Sequence, residues 1–371
     1  MHEAERAERP LSVESIETIP LELPMRFPLG TSATTVRTAP LLLCTLRTRE
    51  GADGRAYLFC YSIAAMRALD LLLHDAAGFI AQRPLTPRQA AAELARRATL
   101  VGVTGLVRMA LSAIDIALWD ALAVAAGRPL AALLGGTRTA VPAYNSSGLG
   151  LMAPHAAADE AARLLTHGFG TLKVRLGHPT LDEDLAVLHA IRERVPGTGL
   201  LADYNQALTV EDALRRGLAL QDEGIAWLEE PIRHDDLAGN SRLADALDVP
   251  IQLGENFNRP EELAEAVDRG ACDLVMPDVA RIGGVSGWLR AAALAAARGT
   301  PISSHLFPEI SVHLLAAGPT AHWLEYVDWA GPLLRHPLQI RDSQAIVPDR
   351  PGIGLEWDPD RVAFHRYDRR H

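Results

Sequence analysis

At 371 residues the chain exceeds the usual size of a single hydrophobic core, so one large domain with a smaller companion is expected. A net charge of −10 excludes a nucleic-acid partner, which needs a basic face, and 48% hydrophobic with 22% charged residues excludes a disordered chain. No apolar run reaches membrane-spanning length, MHEAERAERP lacks the apolar core of a secretory signal, and Cys44, Cys60 and Cys272 have no CxxC spacing, so a cytoplasmic protein without disulfides is expected.

Residues 1–10 read as a polar leader. Strands are expected from Ser12 to Glu22 and from Pro40 to Thr48, and the GADG turn at 51–54 leads into a third at Tyr57–Tyr61, an antiparallel meander. Between the first two lies PMRFPLGTSATTVRT, residues 24–38, whose Gly, Thr and Pro content reads as a lid loop. Helical periodicity then runs from Ile63 to about Leu134, strongest from Leu106 to Ala126 and stopped by Gly127 and Pro129. This half reads as a packing domain.

After Gly135-Gly136 the rhythm becomes strand, then helix, repeated. Strand candidates are Val141–Tyr144, Thr171–Val174, Leu200–Ala202, Ala226–Leu228, Pro250–Leu253, Asp273–Met276, Pro301–Ser303 and Trp323–Leu324, most followed by an Ala/Leu-rich helical segment. That alternation predicts a TIM-type barrel, whose active site is assembled at the C-terminal strand ends. No eighth helix of normal length follows Glu325, and the Pro/Gly-containing residues 330–371 are expected to return over the first domain.

The strand ends carry Ser146, Lys173 with Arg175, Asp203 with Asn205, Glu229 with Glu230, Glu255 with Asn256, Asp278, His305 and Glu325. Asp203, Glu229 and Glu255 stand 26 residues apart, one β/α unit each, so a barrel projects three carboxylates into one mouth. Hard oxygen ligands of that charge suit Mg²⁺. Lys173 and Arg175, two apart on one strand, share a face. Asp278 and His305 on neighbouring strands form a candidate carboxylate–imidazole dyad, with a helix cap as the alternative use of Asp278. Glu325, in apolar surroundings, is expected to have a raised pKa and to act as a neutral donor, with a buried ion-pair partner as the alternative.

The segments KVRLGHPTLDEDLAVL, LLADYNQAL, WLEEP, QLGEN, LVMPDVARIGGVSGW, SSHLFPEIS and PTAHWLE, with TAPLLL, YLFCYS and GLVRMALSAIDIALWDAL before them, closely resemble the mandelate racemase/muconate lactonizing enzyme family of the enolase superfamily. The resemblance covers nearly the whole chain. It implies an α/β fold: an N-terminal α+β capping domain (1–136, lid 24–38), a (β/α)₇β modified TIM barrel (137–329) and a C-terminal segment (330–371) packed on the cap. It further implies Mg²⁺ on Asp203, Glu229 and Glu255, a hydroxy-carboxylate substrate held by Lys173 and Glu325, His305 as acid/base aligned by Asp278, Ser146 and Asn205 near metal and substrate, and a homo-oligomer such as an octamer.

The chain departs from the family pattern at Arg175, where a second Lys completes a Lys-x-Lys pair. Freeing a base at pH 7 costs roughly 4–5 kcal/mol for a lysine and roughly 8 kcal/mol for a guanidinium. Two-base racemisation is thereby disfavoured, and dehydration of an acid sugar by His305 alone is the leading reading. Racemisation of a 2-hydroxy acid and a barrel that binds carboxylate and metal without turnover are the alternatives. Arg26, Arg37 and the threonines of the lid favour a polyhydroxy or diacid substrate, whereas Phe27, Leu29 and Val36 favour an apolar one.

Overall fold

The computed structural model describes residues 8–30 and 35–367. Most of the expected leader, residues 1–7, and the lid residues 31–34 lie outside them. The largest difference from the sequence reading comes first in the chain. Pro24–Thr38 does not form a loop over its described part, because β1 (Leu11–Gly30) and β2 (Thr35–Thr48) continue through it as an antiparallel ribbon. The two prolines that argue against a strand sit where the register shifts, between Pro24 and Leu29, and pairing resumes at Leu29↔Val36 and Gly30↔Thr35.

β3 (Gly54–Phe59) pairs with β2 and β4 (Pro84–Leu85) with β1, giving the sheet order β3-β2-β1-β4. Helices 63–80, 87–97 and 105–125 complete this half, and the second opens with a capping box on Thr86. Helix 105–125 is buried along most of its length and lies close enough to β3 that a Cβ on Gly54 would come 1.8 Å from Ala117 O.

The barrel strands are β5 (Ala140–Asn145), β6 (Thr171–Arg175), β7 (Gly199–Asp203), β8 (Leu228–Glu229), β9 (Ile251–Leu253), β10 (Leu274–Val275) and β11 (Leu324–Tyr326). All pair in parallel, and β11 returns to β5. The expected strand at Pro301–Ser303 is reduced to bridges at Ile302, which joins Val275 on one side and Ala321 on the other and closes the ring. Seven helices follow strands, from 154–165 to 308–317, and only a 3₁₀ turn at 331–333 follows β11, so the architecture is a (β/α)₇β barrel.

Tyr144, Leu201, Trp227 and Leu274 form a buried cluster with Trp323 against it, drawn from β5, β7, β10 and the approaches to β8 and β11. That cluster fills the ring, as side-chain layers do in such barrels. β12 (Ile340–Arg341) and β13 (Gln344–Ile346) form a hairpin whose second strand pairs antiparallel with β5. The chain then reaches β1, where Glu22 N donates to His365 O at 3.1 Å and Tyr367 N to Pro20 O at 2.9 Å.

Candidate active site

Residues that end strands also end the regular backbone. Tyr61, Leu149, Asn205, Gln206, Glu230, Leu306 and Phe307 all have positive φ, and all lie just beyond the ends of β3, β5, β7, β8 or the Ile302 bridge. Such conformations cost about 1–3 kcal/mol each and are retained where a site over-determines them. Gly254 serves the same end: at φ 140, a Cβ there would meet Met276 N at 2.8 Å, so only glycine turns the chain from β9 to Glu255.

Lys173 occupies the centre. Its Nζ stands 2.7 Å from Glu229 Oε1, 2.7 Å from Glu325 Oε1 and 3.2 Å from Asp203 Oδ2, with all four side chains buried. Burial penalises the ammonium, but Glu229, Glu325 and Asp203 outweigh it and hold its pKa well above the ordinary value. The expected raised pKa of Glu325 is not what forms. Burial alone pushes it up, yet Lys173 and His305, with the Leu306 N–H on Oε2 at 2.8 Å, bring it down to about 2. In this state Glu325 is an ionised partner of Lys173 and not a neutral donor.

His305 and Asp278 meet as expected, Nδ1 to Oδ2 at 2.8 Å. The alternative use of Asp278 is also realised, because its other oxygen accepts from Ala280 N at 2.7 Å and Arg281 N at 3.2 Å and caps helix 279–282. One carboxylate thus fixes both a helix start and an imidazole. The other ring nitrogen, Nε2, lies 3.0 Å from Glu255 Oε2 and 4.0 Å from Glu325 Oε2. Burial disfavours the imidazolium, but Glu255 and Glu325 raise its pKa well above the usual histidine value.

Arg175 lies on the same face of β6 as Lys173 and goes to different partners. Nη1 donates to Ser146 O at 3.1 Å and Gly148 O at 2.8 Å, and Nη2 to Ser146 Oγ at 3.0 Å. Asn205 folds back on Asp203, its N–H on Oδ1 at 2.7 Å and its Nδ2 on Oδ2 at 3.0 Å.

The three acidic residues expected to hold a metal share one end of adjacent strands. As they stand, no group of three or more His, Cys, Asp or Glu among the described residues has metal-holding geometry. The ion pairs account for that: Lys173 stands between Asp203 and Glu229, and His305 holds Glu255. The donor set nevertheless fits a hard divalent cation. Glu229 Oε2 is buried with no hydrogen-bond partner, and burial, reinforced by Asp203 and Glu325 against the pull of Lys173, pushes that carboxyl up to about 8. A carboxyl kept that high by burial, with further carboxylates beside it, marks a cluster short of positive charge.

Four participants escape the sequence reading of roles. Glu230 accepts from Asn256 Nδ2 on both oxygens at 3.0 and 2.8 Å, and the same Nδ2 reaches Glu255 Oε1 at 3.1 Å. Arg281 Nη1 donates to Asn256 Oδ1, while Nη2 donates to Tyr61 Oη at 2.6 Å, joining the capping half to the barrel mouth. Glu230 and Asn256 stand among the strand-end residues read from the sequence, which assigned them no role. Arg26 of the ribbon does not reach this centre. It lines a separate cavity of about 250 Å³ with Phe27, Ser147, His167, Phe169 and Asp328.

A family model described as "Mandelate racemase / muconate lactonizing enzyme, N-terminal domain" matches residues 15–135, and one described as "Enolase C-terminal domain-like" matches residues 156–361. The chain belongs to the mandelate racemase/muconate lactonizing enzyme family of the enolase superfamily. Among relatives, an L-talarate/galactarate dehydratase of Salmonella typhimurium is 33% identical over 85% of this chain and 80% of its own. Among solved structures, an enolase from an alphaproteobacterium (bal199) with bound Mg superposes with a TM-score of 0.93 at 42% identity, over 96% of this chain and all (100%) of its own. An enolase from Bradyrhizobium complexed with magnesium and mandelic acid gives a TM-score of 0.90 at 36% identity, over 97% and 99%. This family member is an enzyme, which removes the binding-only barrel from consideration.

Proposed function

We propose that this family member removes the proton α to the carboxylate of a hydroxy acid and, in an acid sugar, expels the β-hydroxyl to leave a 2-keto acid. The observation that carries the reading is one-sidedness. A single imidazole, His305, is oriented by a carboxylate, and the second position of the β6 pair holds a guanidinium in place of a second base. Dehydration needs one acid/base group, whereas racemisation needs one on each face of the carbon.

Asp203, Glu229 and Glu255 would hold Mg²⁺, whose part is to share the negative charge that grows on the substrate carboxylate. Lys173 supplies a second positive charge at the same carboxylate, buried and therefore strongly felt. Asp278 keeps the proton on Nδ1, so Nε2 is the atom that takes the α-proton. The C–H bond breaks towards Nε2, its electron pair enters the enolate, and the same proton leaves with the β-hydroxyl as water; the enol then tautomerises. For the first step His305 must be neutral, so it has to shed its ion pair with Glu255. Glu325, ionised against Lys173 in the present state, must take up a proton before it can donate to a substrate oxygen.

The dehydratase relative supports an acid sugar as substrate. Racemisation is the second reading, favoured by the neighbour solved with mandelic acid. Incubation in D₂O with Mg²⁺ and a panel of acid sugars and mandelates, followed by proton NMR, separates them. Keto acid with loss of the α-proton signal is the expected result. Deuterium uptake with inversion and no keto acid would establish racemisation and overturn the dehydratase reading.

A further inference from the structure

The loop after β9 carries Glu255, and two of its asparagines tie it to the capping half. Asn258 Oδ1 accepts at 3.0 Å from the N–H of Gly105, the first residue of the long cap helix, and Asn258 Nδ2 donates to Asn256 O at 3.1 Å. Asn256 reaches the cap through Arg281. Arg281 Nη1 donates to Asn256 Oδ1 and Nη2 donates to Tyr61 Oη at 2.6 Å, with the guanidinium 5.0 Å from the centre of the Tyr61 ring. Tyr61 lies just beyond β3 at φ 60, and its ring packs edge-on against Phe59 at 4.5 Å, so it moves with the cap sheet.

The place between Arg281 and the carboxylates demands an amide. A guanidinium only donates and a carboxylate only accepts, so a group standing between them needs both functions. Asn256 turns Oδ1 to Arg281, which sets Nδ2 on the acidic side. There Nδ2 lies 3.0 and 2.8 Å from the two oxygens of Glu230 and 3.1 Å from Glu255 Oε1. Glu255 Oε2 meets His305 Nε2 at 3.0 Å, so the amide and the imidazole hold one oxygen each. Without Arg281 the amide loses the partner that fixes its rotation, and two carboxylates lose their shared donor. Arg281 is itself held from behind, because its backbone N–H donates to Asp278 Oδ1 at 3.2 Å.

We propose that Arg281 is a positioning residue that couples the seating of the cap to the metal site. Tyr61 fixes the guanidinium, the guanidinium fixes Asn256, and Asn256 aims Glu255. The inference rests on Glu255 as a metal ligand and goes beyond that reading by making the cap a determinant of metal affinity. The coupling is reciprocal, so bound metal tightens the contact with Tyr61 in turn.

Isothermal titration calorimetry of the full-length protein with Mg²⁺ alone tests the chain of contacts. Tyr61→Phe removes only the hydroxyl that accepts from Arg281, and is expected to weaken Mg²⁺ binding by about 2–10-fold, the usual worth of one hydrogen bond. Arg281→Met is expected to weaken it by roughly 10–100-fold, as loss of an outer partner of a metal ligand does. Adding Tyr61→Phe to Arg281→Met is expected to change nothing further, and Arg281→Lys to recover part of the affinity. A structural role for Tyr61 would give the same weakening with or without Arg281, and that additivity would overturn the proposal. An Arg281→Met loss that merely follows a smaller folded fraction in metal-free melts would also overturn it. Glu255→Gln separates the two readings. Undiminished affinity there would reject the ligand assignment and the proposal with it, whereas weakened affinity there beside an unaffected Tyr61→Phe would reject the coupling alone.

Discussion

At the scale of single residues, the site is organised by charges that share partners. Asp278 divides its two oxygens between a helix start and His305. Asparagine has only one carbonyl oxygen and can serve one of those roles, so Asp278→Asn is expected to fold and to lose activity by about 10²–10⁴-fold, the usual worth of a positioned acid/base. Asp278→Ala, which loses the cap too, should lose activity and melt earlier by about 1 kcal/mol. Keto-acid formation and thermal melts of the two variants check this, and full activity in Asp278→Asn would remove the dyad from the mechanism. Glu229→Gln tests the metal set separately. Losing an outer partner of a metal ligand already costs roughly 10–100-fold in affinity, so loss of a ligand should weaken Mg²⁺ binding by at least that factor. Calorimetry with Mg²⁺ alone reads it, and undiminished affinity would refute the assignment of Glu229.

Elements carry these residues into place through backbone contacts that leave little room. A Cβ on Gly54 would meet Ala117 O at 1.8 Å and Ala121 Cβ at 2.9 Å, and both positions belong to the long buried helix 105–125. Gly54→Ala is therefore expected to destabilise the protein by about 1–3 kcal/mol or more, as over-packed cores are. Urea titration would show it, and an unchanged midpoint would mean that helix and sheet separate without cost. Most elements were legible from the sequence for physical reasons. Parallel strands buried on both faces read as apolar runs, and each ends in a polar residue because its C-terminal end opens on the mouth. The ribbon at 24–38 was not legible, since its prolines fall at a register shift that only pairing reveals. For Glu325 the alternative, a buried ion pair, is what forms: its neighbours in sequence are apolar, but its neighbours in space are Lys173 and His305. Tyr61 and Arg281 meet across 220 residues, a contact that no local pattern announces.

Across the whole molecule, the cap and the barrel are joined by buried titratable groups that the chemistry does not use. Asp115 Oδ1 accepts from Ser286 N at 2.9 Å, Asp120 accepts from Arg55 N at 2.7 Å and Ile353 N at 2.5 Å, and Tyr57 Oη donates to Glu309 Oε2 at 2.5 Å. Burial pushes Asp115 up to about 7, Asp120 to about 6 and Glu309 to about 7. In the unfolded chain such carboxyls titrate near 4. Between that value and the folded one the native state holds more protons, so stability falls as pH rises through the folded pKa. His313 works the other way. It accepts from Ala131 N, donates towards Ile353 O, and is held down by burial to about 4. It binds fewer protons when folded, so its stabilising share is lost as pH falls from the unfolded value near 6.5 towards 4. Above about pH 6.5 only the carboxyls still titrate within this set, and the melting temperature at fixed Mg²⁺ is expected to decline from there to pH 8. Asp115→Asn keeps an oxygen for Ser286 N and carries no charge. Its unpaired amide adds a cost that does not depend on pH, so the variant should start lower and decline less steeply. Melting curves of both proteins from pH 5 to 8 give the comparison. Equal slopes would show that Asp115 does not ionise within the folded interface, and a steeper decline in the variant would reverse the sign assigned to it.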